Sequence, residues 1–343
     1  MSAEPIAVYG ASGHTGRLVA AELRARGLEV ILAGRDAARL KAVSDELGGA
    51  RVHEAPLDDA DALRALTAEA GVLVHCAGPF TDTGRPVARA AAASGCHYVD
   101  HALEQHHTKW MFDTMSVPAA AAGITMITAM SFYGGMGDLL AAAVSAGLTG
   151  IDRVTSAYAV SGWRLTTGAR RTAELLFADT RRITFSDGAQ HVGYVEPRNA
   201  VFPFPPPLGP RTMIAPIPSS EVVTVPRHVP ARRVEAQLTA HTFEEEGAFT
   251  GEAVDPETRA GSEFTVAVQV VTEDGGAAGR ITGRDLWRLS ALASVEAAVR
   301  LAGGHGPGAG VFAPAEAFPA EPFLRDLEAL GLLRLTLPGR SGR

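Results

Sequence analysis

Three glycines at positions 10, 13 and 16 constrain this chain of 343 residues more than any other feature. The apolar run Ile6-Ala7-Val8-Tyr9 leads straight into Gly10-Ala11-Ser12-Gly13-His14-Thr15-Gly16, and an amphipathic stretch from Thr15 to about Arg26 follows. That order reads as strand, tight turn, helix. The first glycine permits the turn, the second lets backbone N–H groups approach a pyrophosphate, and the third lets helix and strand pack closely. The helix start then directs unpaired N–H groups and the positive end of its dipole at the phosphates. Gly10, Ser12, Gly13, His14, Thr15 and Gly16 are therefore candidate dinucleotide-binding residues. A purely structural turn also uses glycine, and it is the strand before and the helix after that favour a nucleotide.

The second strand selects the nucleotide. Glu29-Val30-Ile31-Leu32-Ala33 ends in Gly34-Arg35, where an NAD site carries an acid for the ribose 2′-hydroxyl. Arg35 offers instead a planar cation suited to a 2′-phosphate, so NADP(H) is expected. The bland alternative makes Asp36 a helix N-cap and leaves Arg35 merely exposed.

Composition narrows the class. A net charge of −7 gives no basic field for nucleic acid. Two cysteines, Cys76 and Cys96, form neither a disulfide scaffold nor a metal pair, which points to a cytoplasmic protein. Residues 5–10 read as a core strand, so no secretory leader is expected. The uncharged run 116–137 contains Pro118 and Gly134-Gly135 and reads as a strand between turns rather than a membrane span. Lys41 and Lys109 are the only lysines, which argues against Schiff-base chemistry.

Strands at 6–10, 29–33, 51–55, 71–76, 96–99 and 124–129 alternate with helices through the first 130 residues. Such alternation predicts an α/β fold, a doubly wound parallel sheet of Rossmann type. Ligands of such sheets bind outside the carboxyl ends of the strands. After about residue 150 the pattern changes to period-two strands at Arg153–Ser161, Arg233–Thr242, Glu263–Thr272 and Ala278–Arg284, with helices at Ala169–Ala178 and Asp285–Ala302. A second α+β domain on a mixed or antiparallel sheet is expected. The domains are placed at 1–130, 131–310 and 311–343, the last packing back on the first. Phe202–Pro207 reads as a stiff loop.

Chemistry-bearing residues gather past the strand ends. His75-Cys76-Ala77-Gly78-Pro79-Phe80 follows the fourth strand, and Cys76, Ala77, Gly78 and Pro79 are candidates for the ribose and nicotinamide. Asp58 is placed for adenine, or for a turn or N-cap. Past the fifth strand come Asp100, His101 and Glu104, candidate proton donors or substrate-orienting groups. His97, His101, His106 and His107 lack a recognised metal spacing, and a solvated helix start accounts for His106 and His107. Tyr158 and Tyr133 are further candidates. Arg164, Thr167 and Gly168 at a helix start suit an anionic group. Neither a Gly-x-Ser-x-Gly elbow nor a Tyr-x-x-x-Lys pair occurs.

The segments Gly10–Gly16, Ala33-Gly34-Arg35, Ala77-Gly78-Pro79-Phe80, Gly95-Cys96-His97-Tyr98-Val99-Asp100 with Glu104, and Gly137-Asp138-Leu139 together resemble the saccharopine dehydrogenase-like reductases, in particular the branch of trans-acting enoyl reductases. Gly162 with Thr166-Thr167-Gly168, Pro226-Arg227-His228, Gly283 with Asp285, and Gly310-Val311 with Pro314-Ala315 extend the resemblance along the chain. It implies a nicotinamide-dependent reduction of C=N or C=C in a small metabolite, or the reverse oxidation of a secondary amine, and a homodimer is compatible with it. Leu103 stands where a glycine commonly precedes the glutamate, so the substrate is not carried over. A non-catalytic NADP-binding sensor is the reading from another class.

Overall fold

The computed structural model describes residues 4–245, 247–250 and 254–339. Two compact units divide it. The first joins the chain up to Ser131 with Trp287–Phe312, and the second joins Phe132–Leu286 with the segment that begins at Ala313.

In the first unit β1 (Ile6–Tyr9), β2 (Val30–Gly34), β3 (Arg51–Glu54), β4 (Val72–His75), β5 (His97–Asp100) and β6 (Thr125–Ile127) alternate with helices. These helices are α1 (His14–Ala25), α2 (Ala37–Glu46), α3 (Ala60–Ala68), α4 (Phe80–Ser94) and α5 (Gln105–Trp110). A π-helical turn over Met111–Met115 and α6 (Ser116–Ala121) complete the last crossover. Each of the six strands expected from the sequence lies within two residues of an observed one. All pairings are parallel, in the order Gly310–Phe312, β6, β5, β4, β1, β2, β3. β1, β2 and β4 are buried along their whole length, which explains their unbroken apolar sequences. The order reverses between β1 and β4, and that switch point is where such sheets open a ligand crevice.

Local chemistry sets the helix ends. α1 buries Val19, Ala20 and Leu23 on one face, and Gly27 ends it in the left-handed region at φ +74°. The N–H of Leu28 returns to the Leu23 carbonyl at 3.1 Å, satisfying a helix-end acceptor. The run 116–137 divides among α6, β6 and the start of α7 (Gly135–Ser145). Among the described residues no helix is long and apolar enough to cross a membrane.

The second unit holds β7 (Ile151–Ser161), α8 (Thr167–Ala178), β8 (Arg181–Ser186), β9 (Ala189–Tyr194), β10 (Arg198–Pro203), β11 (Pro210–Ala215), β12 (Arg233–Thr239), β13 (Glu263–Thr272) and β14 (Gly275–Arg284). The sheet runs β10, β11, β12, β7, β13, β14, Arg334–Thr336, with β8 also on β12 and β9 on β8. β12 pairs with β7 in parallel and the remaining pairs are antiparallel, so the sheet is mixed.

Three expectations are corrected. Residues 287–310, placed by sequence in the second domain, belong to the first unit together with Val311 and Phe312, because Gly310–Phe312 pairs with β6. The C-terminal segment, expected on the first domain, belongs to the second unit. There Ala320–Ala329 packs on α7, burying Phe323, Leu324 and Leu327, and Arg334–Thr336 pairs with β14. α7 is buried nearly all round and needs cover on several sides. Finally, the Pro-rich stretch is not only a loop. Phe202 lies in β10, and both it and Phe204 join a core with Ala157, Ala159, Met213 and Ala267.

Candidate functional site

The glycine turn folds back on β2, with Gly10 and Ala11 N–H both donating to the Ala33 carbonyl at 2.8 and 3.2 Å. Gly10 has φ +84°, and a Cβ there would lie 2.8 Å from Ala77 Cβ and 2.9 Å from Ala77 N. At Gly16 a Cβ would lie 2.2 Å from the Gly10 carbonyl oxygen. Both glycines are thus required by close approach. Gly13 is the exposed N-cap of α1, no side chain caps the helix, and its first turn carries no acid. The uncapped N–H donors of that turn, around Ser12, His14 and Thr15, fit an anionic pyrophosphate.

Beyond β2, both readings of the sequence coexist. Asp36 caps α2, accepting from Arg39 N–H at 3.0 Å. Gly34 is buried in β2, while Arg35 is exposed and makes no hydrogen bond or ion pair among the described residues. The cap at α3 is supplied by Asp59, which accepts from Asp61 and Ala62 N–H at 3.1 and 2.9 Å. Asp58 is therefore spared that role. The Tyr9 hydroxyl donates to the Ala55 carbonyl at 2.8 Å, tying the β1 end to the segment after β3. Burial pushes the Tyr9 hydroxyl up to about 12, with Arg35 drawing it down and Asp58 raising it further. Arg35 and Asp58 thus both lie within electrostatic reach of the Tyr9 hydroxyl.

The loop after β4 is held from two sides. Cys76 N–H donates to the Tyr9 carbonyl at 2.8 Å, extending the β1–β4 pairing, and burial pushes its thiol up, away from nucleophilic use. The Thr83 hydroxyl reaches the Ala77 carbonyl at 2.5 Å and the Pro79 carbonyl at 3.0 Å. From the far side Glu104 Oε1 accepts from Phe80 N–H at 2.7 Å while Oε2 accepts from Leu103 N–H at 3.0 Å. Gly78 and Pro79 lie between these clamps.

The candidate acids turn out to be enclosed. Asp100 is fully buried; Oδ2 meets His107 Nε2 at 2.9 Å, and Oδ1 accepts from Ala102 and Ala129 N–H at 3.1 and 2.8 Å. The Thr128 hydroxyl adds a bond at 3.1 Å. Burial alone would raise this carboxyl, but His107 and the backbone donors outweigh it and hold it below the ordinary carboxylate range. His107 is not at a solvated helix start, as expected for it and for His106. It is buried, and a Cβ at Gly84 would sit 2.2 Å from its Cε1, so glycine makes room for the ring; His106 is exposed as expected. Burial raises the Glu104 carboxyl against its backbone donors. His101 meets Ser290 Oγ at 3.3 Å and Ser294 Oγ at 2.8 Å, and enclosure lowers it to about 4 against the pull of Asp100.

Tyr158 lies in the second unit. Its hydroxyl donates to Glu221 and accepts from Gly134 N–H at 3.2 Å, and Ser219 also bonds Glu221. Gly137 leaves the space they fill, since a Cβ there would lie 2.5 Å from both the Tyr158 hydroxyl and Glu221 Oε1. Asp138, next in sequence, is buried between His228 Nε2 at 2.8 Å and Ala315 N–H at 2.9 Å. Thr166 caps α8, and Arg170 is 3.7 Å from Glu174 on an exposed face. Sequence reasoning missed His107, Thr128, Ser290, Ser294 and Glu221. A buried histidine and a helix serine carry no local signal, because their partners lie far along the chain. No group of three or more potential metal ligands occurs among the described residues.

Residues 6–130 match the family model described as the saccharopine dehydrogenase NADP binding domain. A trans-acting enoyl reductase of Mycobacterium tuberculosis is 35% identical over 134 residues, covering 37% of this chain and 32% of that protein. One from Mycobacterium ulcerans is 34% identical over the same length, with the same coverage. The chain thus matches about a third of the length of these relatives. Saccharopine dehydrogenase (L-Glu forming) from Saccharomyces cerevisiae has the same fold, with a TM-score of 0.66 over 98% of this chain and 100% of that one, at 14% identity.

Proposed function

We propose that this chain, whose residues 6–130 match the saccharopine dehydrogenase NADP binding domain, is an NADPH-dependent reductase that reduces a C=C bond conjugated to a carbonyl in a small metabolite. The observation that carries the cofactor half is Arg35, a cation without an ion pair among the described residues at the end of β2, beside a turn whose glycines a Cβ would fill. NADPH bound there supplies a hydride. The uncapped start of α1 holds the pyrophosphate, Arg35 the 2′-phosphate, and Ala77–Pro79 the nicotinamide side. Thr83 and Glu104 keep that loop in place.

The state of the carboxylates supports an enoyl over an imine substrate. Reduction of a protonated imine calls for a free anion beside the cationic nitrogen. Asp100 has both oxygens committed to His107 and backbone N–H groups, and Glu104 has both committed to Phe80 and Leu103. Both carboxylates are buried and already hydrogen-bonded, so neither is a ready counter-ion for a cation. The names of the mycobacterial relatives agree with this choice.

The test is titration with NADPH and NADH, then NADPH consumption with a panel of α,β-unsaturated thioesters and cyclic imines. Expected are tight NADPH binding, a loss of about ten- to a hundredfold in Arg35→Ala, as for a hydrogen bond to a charged group, and turnover of the thioesters. Turnover of imines alone overturns the substrate class. Binding without any turnover favours a sensor, and equal affinity for NADH removes Arg35 from the site.

A further inference from the structure

The proposed reaction leaves the part-buried ring of His101 without a task. His101 follows β5 in the first unit, and both its ring nitrogens face serines of the helix Leu286–Ala302. That helix enters the first unit at Trp287, whose ring stands edge-on to His14 of the glycine turn, with centroids 6.1 Å apart. Trp287, Ser290 and Ser294 are spaced three and four residues apart, so they share one helix face. One face of this late helix therefore meets both the phosphate-binding turn and the segment after β5.

Donor and acceptor counting settles the proton on the ring. A serine hydroxyl has a single proton, and Ser294 gives its own to the Ala291 carbonyl at 2.8 Å. The 2.8 Å contact between Ser294 Oγ and His101 Nε2 must therefore be donated by the ring. Nδ1 faces the Ser290 oxygen at the longer distance of 3.3 Å. Among the described residues Asp100 is the acid whose charge favours a cation on the ring, but enclosure outweighs it, and its oxygens already serve His107, Ala102, Ala129 and Thr128. His75 from β4 and His107 from α5 add only imidazoles, and the helix face against the ring presents serines.

We propose that His101 is a positioning residue, held by Ser294 as the neutral Nε2–H tautomer, and not the acid that protonates substrate. It pins the start of the segment Ala102–Glu104 to the late helix. Glu104 in turn accepts from Phe80 N–H and fixes the Gly78–Pro79 loop. His101 so acts on the nicotinamide side through Glu104, without touching the ligand. This assignment rests on the reductase reading for its consequence, but not for the state of the ring.

Nitrogen NMR of the full chain labelled with 15N-histidine tests the ring state, with His101→Gln assigning the signals. The expected result is a fixed Nε2–H tautomer that does not titrate between about pH 5 and 8, where an ordinary histidine does. An Nδ1–H tautomer, or an imidazolium forming in that window, overturns the proposal. NADPH titration tests the consequence. His101→Ala should weaken binding about fivefold, one hydrogen bond's worth, and His101→Gln, whose amide still donates to Ser294, should recover most of it. Loss of a limb of the pH–rate profile in His101→Gln would identify an acid and overturn it too. If no form binds NADPH, the reductase reading fails while the NMR result still decides the tautomer.

Discussion

At the scale of single residues, the site is built from close approaches more than from reactive groups. Gly16→Ala would drive a methyl to 2.2 Å from the Gly10 carbonyl, costing about 1–3 kcal/mol of stability and prying open the glycine turn. A lowered denaturant midpoint together with lost NADPH binding is the expected readout. The buried histidines predict a pH dependence. Burial lowers His101 to about 4 and His75 to about 3, both from 6.5. Lowered bases are neutral when folded, so their stability is intact above 6.5 and declines as the pH falls toward those values. The stability difference between the protein and His101→Gln should be constant above pH 6.5 and shrink on acidification, measured by urea unfolding. Asp100 adds a loss in the same direction lower down, since its folded value lies below 3.8.

At the scale of elements, what could be read in the sequence follows burial. The strands of the first sheet announce themselves because β1, β2 and β4 are apolar on both faces. β9 is almost wholly exposed, so no alternation marks it, and the hairpins β8–β9 and β10–β11 escape a reading based on pattern. The tight glycine turn was legible because its close packing is local. The roles of Asp100 and Glu104 were not, because whether a carboxylate meets substrate or backbone N–H depends on contacts made across the fold. The helix Ala320–Ala329 is a case where an amphipathic face was visible but its partner was not. Leu327→Ala, at a fully buried position against α7, should cost about 2–5 kcal/mol, read as a lower denaturation midpoint of the full chain. The Asp138–His228 pair in the same unit runs opposite to the other histidines. Burial opposes the charge on His228, but Asp138 outweighs it and raises the group above 6.5. The stability it contributes is complete below 6.5 and lost as the pH rises through the raised value, a dependence that His228→Gln should abolish.

At the scale of the whole molecule, the chain passes between its units three times. It leaves the first at Phe132, returns at Trp287 and leaves again at Ala313. A fragment ending at Ser131 would lack the strand beside β6 and the helix bearing Ser290 and Ser294. Its expected behaviour is aggregation or failure to bind NADPH, checked by light scattering and titration; a soluble fragment with full affinity would show that the late segment is dispensable. The same threading sets a timetable at the ribosome. The edge of β6 waits bare while the strands of the second sheet up to β14 emerge, and it is covered only when residue 312 has left the exit tunnel. An unpaired edge is an invitation to wrong partners, so the nascent chain carries its greatest risk of misassembly during the interval between those two events, and slowing translation there should lower the yield of native protein.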